Sequence, residues 1–109
     1  MKKYPITYKG ELYEVRWETI GFVPRITIYK VTTSKFLKFK IYKKMYRESE
    51  YDVNKQLDRP NLLDDPIYYI QQVKTIFKLW EKSESYTNYQ KSIKQIQQQT
   101  LAQWDGIIN

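Results

Sequence analysis

Lysines alternate with aromatic side chains along residues 35–47, and no other stretch of the chain suggests a binding chemistry as clearly. With a period of two, this pattern predicts a β-strand that has one apolar face and one lysine-aromatic face. Ammonium groups neutralise phosphates and phenol rings stack on bases, so the second face has the chemistry of a nucleic-acid-binding surface. The predicted site residues on this strand are Lys38, Lys40, Tyr42, Lys44 and Tyr46.

The outward positions of the preceding strands should extend this surface through Arg16, Arg25 and Tyr29. The strand lysines lie two and four residues apart, roughly 7 and 14 Å along a strand, which suits successive phosphates of a nucleic acid. A plainer alternative is cross-strand pairing in which Glu14 and Glu18 neutralise nearby lysines, or simply a soluble outer face of the sheet. The sequence leaves both interpretations open.

The composition excludes most catalytic chemistry. The chain of 109 residues has no cysteine and no histidine, which removes thiolate metal sites, imidazole bases and serine-histidine triads. Its three glycines form no phosphate-binding loop. Adjacent Asp64 and Asp65 are explained by helix capping, and the acids between residues 48 and 52 by a solvated loop. We therefore expect a protein that is not an enzyme and that needs neither metal nor cofactor.

Positive charge is concentrated in the first half of the chain. Residues 1–47 contain twelve Lys or Arg and three Glu, whereas residues 48–109 contain seven basic and nine acidic residues. This asymmetry indicates an anionic partner for the first half. The start of the chain lacks the apolar core of a signal peptide, and no run approaches the ~18 apolar residues of a membrane span. We expect a cytoplasmic protein without a membrane partner.

Alternating patterns predict four strands within residues 4–47, joined by short links in an antiparallel meander. Lys9-Gly10 should form the first tight turn. Nine apolar positions are expected to face inward: Tyr13, Val15, Trp17, Ile26, Ile28, Leu37, Phe39, Ile41 and Met45. Residues 48–64 form an acidic connection in which 52–57 could make one helical turn.

The last part of the chain has helical periodicity. Asp65 and Pro66 predict the start of a helix over residues 65–82. Its core-facing stripe should contain Ile70, Val73, Phe77 and Trp80. A second helix over residues 86–105 would begin at a capping box formed by Thr87 and Gln90. One long helix is the alternative, because no Gly or Pro enforces a break.

The predicted protein is thus a single α+β domain: a basic sheet over residues 1–47, the connection 48–64, and a helical hairpin over 65–109 packed on one face of the sheet. Its leading function is to bind DNA, RNA or a nucleoprotein complex through the sheet. The alternative is a small accessory or inhibitor protein of phage or mobile-element type that binds another protein. Its contact residues would be Tyr86, Tyr89, Ile93, Ile96 and Trp104. We expect a monomer or a weak homodimer.

Overall fold

The computed structural model describes residues 2–34, 36, 38–57 and 66–108. Four strands come first: β1 (Lys2–Tyr8), β2 (Glu11–Ile20), β3 (Val23–Thr33) and β4 (Lys40–Ser49). The described residues then form α1 (Glu50–Asn54), α2 (Pro66–Glu81) and α3 (Glu84–Gln103). The predicted α+β fold, with a four-stranded antiparallel sheet followed by helices, is confirmed.

The strands pair antiparallel in chain order, so β1 and β4 are the edges of the sheet. Lys9 and Gly10 connect β1 to β2 with φ angles of 51° and 79°. Two consecutive positive φ angles make a type I′ turn, whose twist matches that of the flanking strands. Tyr8 and Glu11 therefore close the hairpin as paired residues.

The core lies between the sheet and α2. Tyr13, Val15, Ile26 and Ile28 are buried as predicted, and Trp17 is half-buried against them. From the helices, Val53, Ile76, Phe77 and Trp80 complete this cluster. Trp80 is fully buried and lies at the centre of a group of rings, with its own ring centroid 5.5 Å from Tyr13 and 4.9 Å from Tyr86.

Three residues predicted to be core are exposed. Phe39 and Ile41 are 51% and 47% exposed, because β4 begins only at Lys40 and no described helix covers this end of the strand. Ile70 is 52% exposed, because the apolar stripe of α2 is wider than the sheet beneath it. Val73 is half-buried against the core, whereas Leu37 lies outside the described residues.

Serine side chains cap the N-termini of two helices. Ser49 ends β4 and accepts a hydrogen bond from the backbone N–H of Asp52, so the helical turn after the sheet starts earlier than residue 52. Ser83 accepts from the N–H of Tyr86 and separates α2 from α3. The second helix therefore begins at Glu84, and the predicted capping box at Thr87 is wrong. Pro66 is the first residue of α2 as predicted, while Asp65 lies outside the described residues.

A buried glutamine joins three elements of the fold. Gln72 of α2 is fully buried, and its Oε1 accepts from Trp17 Nε1 on β2 at 2.9 Å. Its Nε2 donates to Glu50 Oε1 at 3.1 Å and to Asn54 Oδ1 at 2.9 Å, both on α1. Both polar ends of the side chain are thus satisfied, which offsets the cost of burying it.

The first turns of α3 are held on the sheet by a carboxylate. Glu11 Oε2 accepts hydrogen bonds from Tyr89 at 2.7 Å and Tyr13 at 2.8 Å, and lies 3.0 Å from Lys30 Nζ. Burial alone would raise the pKa of Glu11, but these three donors outweigh it and lower the pKa below its ordinary value. α2 and α3 are therefore a helical hairpin of which only the first turns of α3 contact the sheet.

Candidate nucleic-acid interface

The sheet face opposite α2, here called the open face, carries most of the predicted site. On β4, Lys40, Tyr42 and Lys44 point to it at alternate positions. They pair with Thr33, Val31 and Tyr29 of β3. Arg16 and Arg25 lie on the same face, since they alternate with Val15, Trp17 and Ile26, which face the core. The pairing of the strands thus brings together six of the eight predicted residues.

A β-bulge removes Tyr46 from this face. Ile28 pairs with Tyr46 but the next residue, Tyr29, pairs with Lys44, so Met45 is an extra residue in β4. One extra residue reverses which side chains face the core. Tyr46 accordingly packs against the core and donates a hydrogen bond to Glu48 at 2.8 Å, and its predicted place on the open face is wrong. Burial and this hydrogen bond raise the pKa of Tyr46 above its ordinary value.

Lys38 belongs to the loop before β4 and not to the strand. Its φ angle is 55°, a left-handed conformation, and its side chain is exposed. The neighbouring Phe36 and Phe39 are also exposed. This end of the sheet therefore presents lysine and phenylalanine side chains, but without the regular spacing that a strand would impose.

Arg16 occupies the space between the two tyrosines of the open face. Its guanidinium carbon lies 4.3 Å from the centre of the Tyr29 ring and 4.6 Å from that of Tyr42. Such cation–π contacts stabilise the stack, and Glu14 accepts a hydrogen bond from Arg16 Nε. One face of each ring is thus covered by a guanidinium group, which leaves less aromatic surface for stacking on bases than the sequence predicted.

A second group of polar side chains on the open face is neutralised internally. Glu18 accepts from Tyr29 at 3.0 Å and from Thr27 at 3.1 Å, and it pairs with Arg47 at 3.2 Å. Arg47 also donates to Thr27 Oγ1 at 2.9 Å, and Thr27 is fully buried beneath these longer side chains. Burial and the bond to Glu18 raise the pKa of Tyr29, so its hydroxyl remains a proton donor at neutral pH. Glu14 and Glu18 therefore neutralise arginines and not the lysines that the plainer alternative assigned to them.

The remaining cations of the open face have no acidic partner among the described residues. They are Lys3 on β1, Arg25 on β3, and Lys40 and Lys44 on β4. Lys3 and Arg47 were not predicted as members of the face. Lys3 could have been found from the period of two in β1, since it and Pro5 occupy alternate positions on the face opposite Tyr4 and Ile6. Arg47 could not, because the bulge at Met45 decides its side of the sheet.

The residues of the alternative, protein-binding surface lie on or after α3. Tyr86 and Tyr89 are partly buried against the core, and Ile93 is half-buried. Beyond them Ile96 is 60% exposed and Trp104 54% exposed, and no residue of α3 is buried. The molecule measures 59 Å along its longest axis against 31 and 27 Å along the others, as a projecting helix requires.

Metal-ligand clusters and membrane-spanning helices are both absent from the part of the chain that the structure describes. Those residues contain no group of three or more potential metal ligands. None of the helices formed by them combines the length and the apolar character that crossing a membrane demands.

Comparison with known proteins gives no family assignment. No protein-family model matches the chain, and neither the curated proteins nor the solved structures contain a significant match. Function must therefore be argued from the site itself.

Proposed function

We propose that the chain is a non-enzymatic binding module that holds a nucleic acid against the open face of its sheet. The observation that carries the proposal is the set of four cations without described acidic partners: Lys3, Arg25, Lys40 and Lys44. They are spread over β1, β3 and β4, so together they form a surface and not a single point of charge. Two arginines that pair with acids, Arg16 and Arg47, lie on the same face with Glu14 and Glu18. The six cationic side chains and two carboxylates give the open face a net charge of +4.

Phosphate contacts, and not base stacking, are the basis of the proposed binding. Tyr29 and Tyr42 already hold Arg16 between their rings, and Tyr46 faces the core. A surface with unpaired cations whose tyrosines already contact Arg16 engages mainly the phosphate backbone, which carries no sequence information. We therefore expect duplexes to bind at least as well as single strands.

The test is a fluorescence anisotropy titration with labelled 20-base-pair DNA and RNA duplexes and a single strand, at 50 and 200 mM salt. Replacing Lys40 and Lys44 together by glutamine should lower the logarithmic salt slope by about 1.8, since each neutralised phosphate contributes about 0.9. Both side chains are exposed, so the variant should melt at the temperature of the unmodified protein. All sequences should weaken by the same factor.

The matched control replaces Lys91 and Lys94, two exposed lysines of α3, by glutamine. It makes the same change in net charge away from the open face, so the salt slope should not change. If both double variants lower the logarithmic salt slope by the same amount, binding reflects net charge alone and the open face is not the site. If the unmodified protein binds none of the three ligands at 50 mM salt, the proposal is wrong.

A second candidate function, docking on another protein through α3, is favoured by one specific observation. The apolar stripe that begins at Tyr89 continues through Ile93 and Ile96 after the helix has left the sheet, and Ile96 is mostly exposed. A partner protein or a second copy could bury it. Sedimentation over a range of protein concentrations shows whether a second copy binds to this stripe. The variant Ile96→Lys should abolish any such self-association. Self-association that persists in this variant would exclude the stripe as its contact.

A further inference from the structure

An apolar groove with a volume of about 740 Å³ runs along the outer edge of the sheet, between β1 and α2. Apolar side chains from both elements line it, chiefly Tyr4, Ile6, Tyr8, Ile70, Val73 and Phe77. Its size is within the usual range of ligand-binding clefts. The groove lies on the opposite side of the sheet from the open face, so what it binds is independent of the proposed function.

The groove exists because α2 runs beside β1 and overhangs the edge of the sheet. Near the start of both elements, Lys2 Nζ lies 3.6 Å from the centre of the Tyr69 ring. Near their ends, the rings of Tyr8 and Phe77 are 4.6 Å apart. Between these points the helix presents Ile70 to open space where a further strand would lie. This is why Ile70 remains half exposed although it lies on the apolar stripe of α2.

The backbone of β1 is arranged to accept such a strand. The type I′ turn makes Tyr8 and Glu11 a hydrogen-bonded pair, and pairs alternate along an antiparallel ladder. Lys3, Pro5 and Thr7 are therefore at positions whose backbone groups point away from β2. Two N–H groups and three carbonyls are offered at this edge, since Pro5 has no N–H.

The charges around the groove select its occupant. Lys74 and Lys78 of α2 line it, and neither forms an ion pair with a described residue. The carboxylate of Glu81 also lines it, but that group is paired with Lys9 at 3.3 Å. A second copy of this chain is a poor occupant, because its free edge strands are the lysine-rich β4 and β1 itself, which lacks one N–H. The occupant must therefore carry negative charge that complements Lys74 and Lys78.

We propose that the groove binds an extended peptide segment of another protein that adds a strand to β1 and whose side chains on the α2 side of the sheet, at every second position, are apolar and acidic residues. Its apolar side chains lie against Ile6, Ile70 and Val73, beneath α2. Its acidic side chains reach Lys74 and Lys78 at the rim. Backbone hydrogen bonds to Lys3 and Thr7 fix its direction, and apolar pockets for alternate side chains fix its sequence preference.

The first experiment pans a phage-displayed library of random 12-residue peptides on the full chain. Enriched peptides should carry their apolar and acidic residues together at every second position, and a labelled synthetic copy should bind in fluorescence polarisation. Ile70→Lys should weaken this peptide about tenfold or more, the effect of losing one buried aliphatic contact. Ile96→Lys, the same change at an exposed isoleucine of α3, should alter the affinity by less than twofold.

Two further variants separate this site from the others. Lys74→Glu changes only an exposed charge and should weaken the peptide about two- to fivefold. The Lys40→Gln, Lys44→Gln double variant of the open face should leave peptide affinity unchanged. If the unmodified protein binds the peptide but no nucleic acid, the proposed function has failed; if it binds nucleic acid but no peptide, the groove proposal has failed.

Amide hydrogen exchange decides whether a strand is added. The N–H groups of Lys3 and Thr7 point outward in the free protein, and bound peptide should slow their exchange at least tenfold. If no peptide is enriched, if the enriched peptides lack acidic residues, or if Ile70→Lys leaves binding intact, the proposal is wrong. Binding without slower exchange at Lys3 and Thr7 would mean an apolar contact with no added strand, which also overturns it.

Discussion

Replacing Gln72 by methionine should reduce the stability of the fold by about 2–3 kcal/mol. Methionine has nearly the same volume, so little of the effect comes from a cavity. The change removes three hydrogen bonds, to Trp17, Glu50 and Asn54, each worth about 1 kcal/mol. The partners are only partly buried and some regain water, which is why the sum is not larger.

The matched control is the same substitution one residue earlier. Gln71 is also on α2, but its buried Oε1 has no hydrogen-bond partner among the described residues. Gln71→Met should therefore change the free energy of unfolding by less than about 0.5 kcal/mol. The pair of variants isolates the hydrogen bonds of Gln72 from any general effect of methionine on the helix.

Thermal and urea unfolding, followed by circular dichroism, measure both variants. For a domain of this size 1 kcal/mol corresponds to roughly 4 °C, so Gln72→Met should lower the melting temperature by about 8–12 °C. A third variant, Gln72→Glu, places a carboxylate beside Glu50 and should be more destabilised at pH 7 than at pH 4.5, where it can be protonated. If Gln72→Met and Gln71→Met melt within 2 °C of each other, the buried glutamine does not hold α1 and α2 to the sheet.

Three further predictions concern other parts of the fold. Phe77→Ala should cost about 3–5 kcal/mol in urea unfolding, because the ring is buried between Tyr8 and Trp80; a cost below 1 kcal/mol would contradict the assigned core. The lowered pKa of Glu11 stabilises the fold above the ordinary carboxyl pKa, and this contribution is lost as the pH falls through the lowered value. Glu11→Gln should therefore flatten the acid side of the stability curve, and an unchanged curve would refute the assignment. Phe22→Gly should raise stability by about 0.5–1 kcal/mol in thermal melts, since Phe22 is exposed at a φ of 66°; a lower melting temperature would show that the ring has structural contacts.

Much of the candidate site was predictable because it depends on period-two alternation within single strands. Arg16, Arg25, Tyr29, Lys40, Tyr42 and Lys44 reach the open face as the pattern of each strand indicates. Tyr46 does not, because the register of β4 against β3 changes at Met45. A bulge is decided by how two strands pair, and nothing in the residues around Met45 marks it.

Local chemistry alone determined the boundaries that were predicted correctly. Gly10 readily adopts a positive φ angle, so the Lys9-Gly10 pair between two alternating segments favours a tight turn. Pro66 has a fixed φ and no N–H, which suits the first position of a helix. Phe77 and Trp80 recur at helical spacing, and any arrangement of α2 on a sheet would bury that side first.

Only the tertiary structure decided which apolar and polar residues of that helix are covered. Ile70 lies on the same stripe as Phe77 but remains half exposed, because the sheet ends at β1 before it reaches that residue. Gln72 is fully buried despite its polarity, because Trp17, Glu50 and Asn54 come from two other elements to satisfy it. Periodicity describes the helix by itself, whereas burial depends on the width of the surface it meets and on the partners that surface provides.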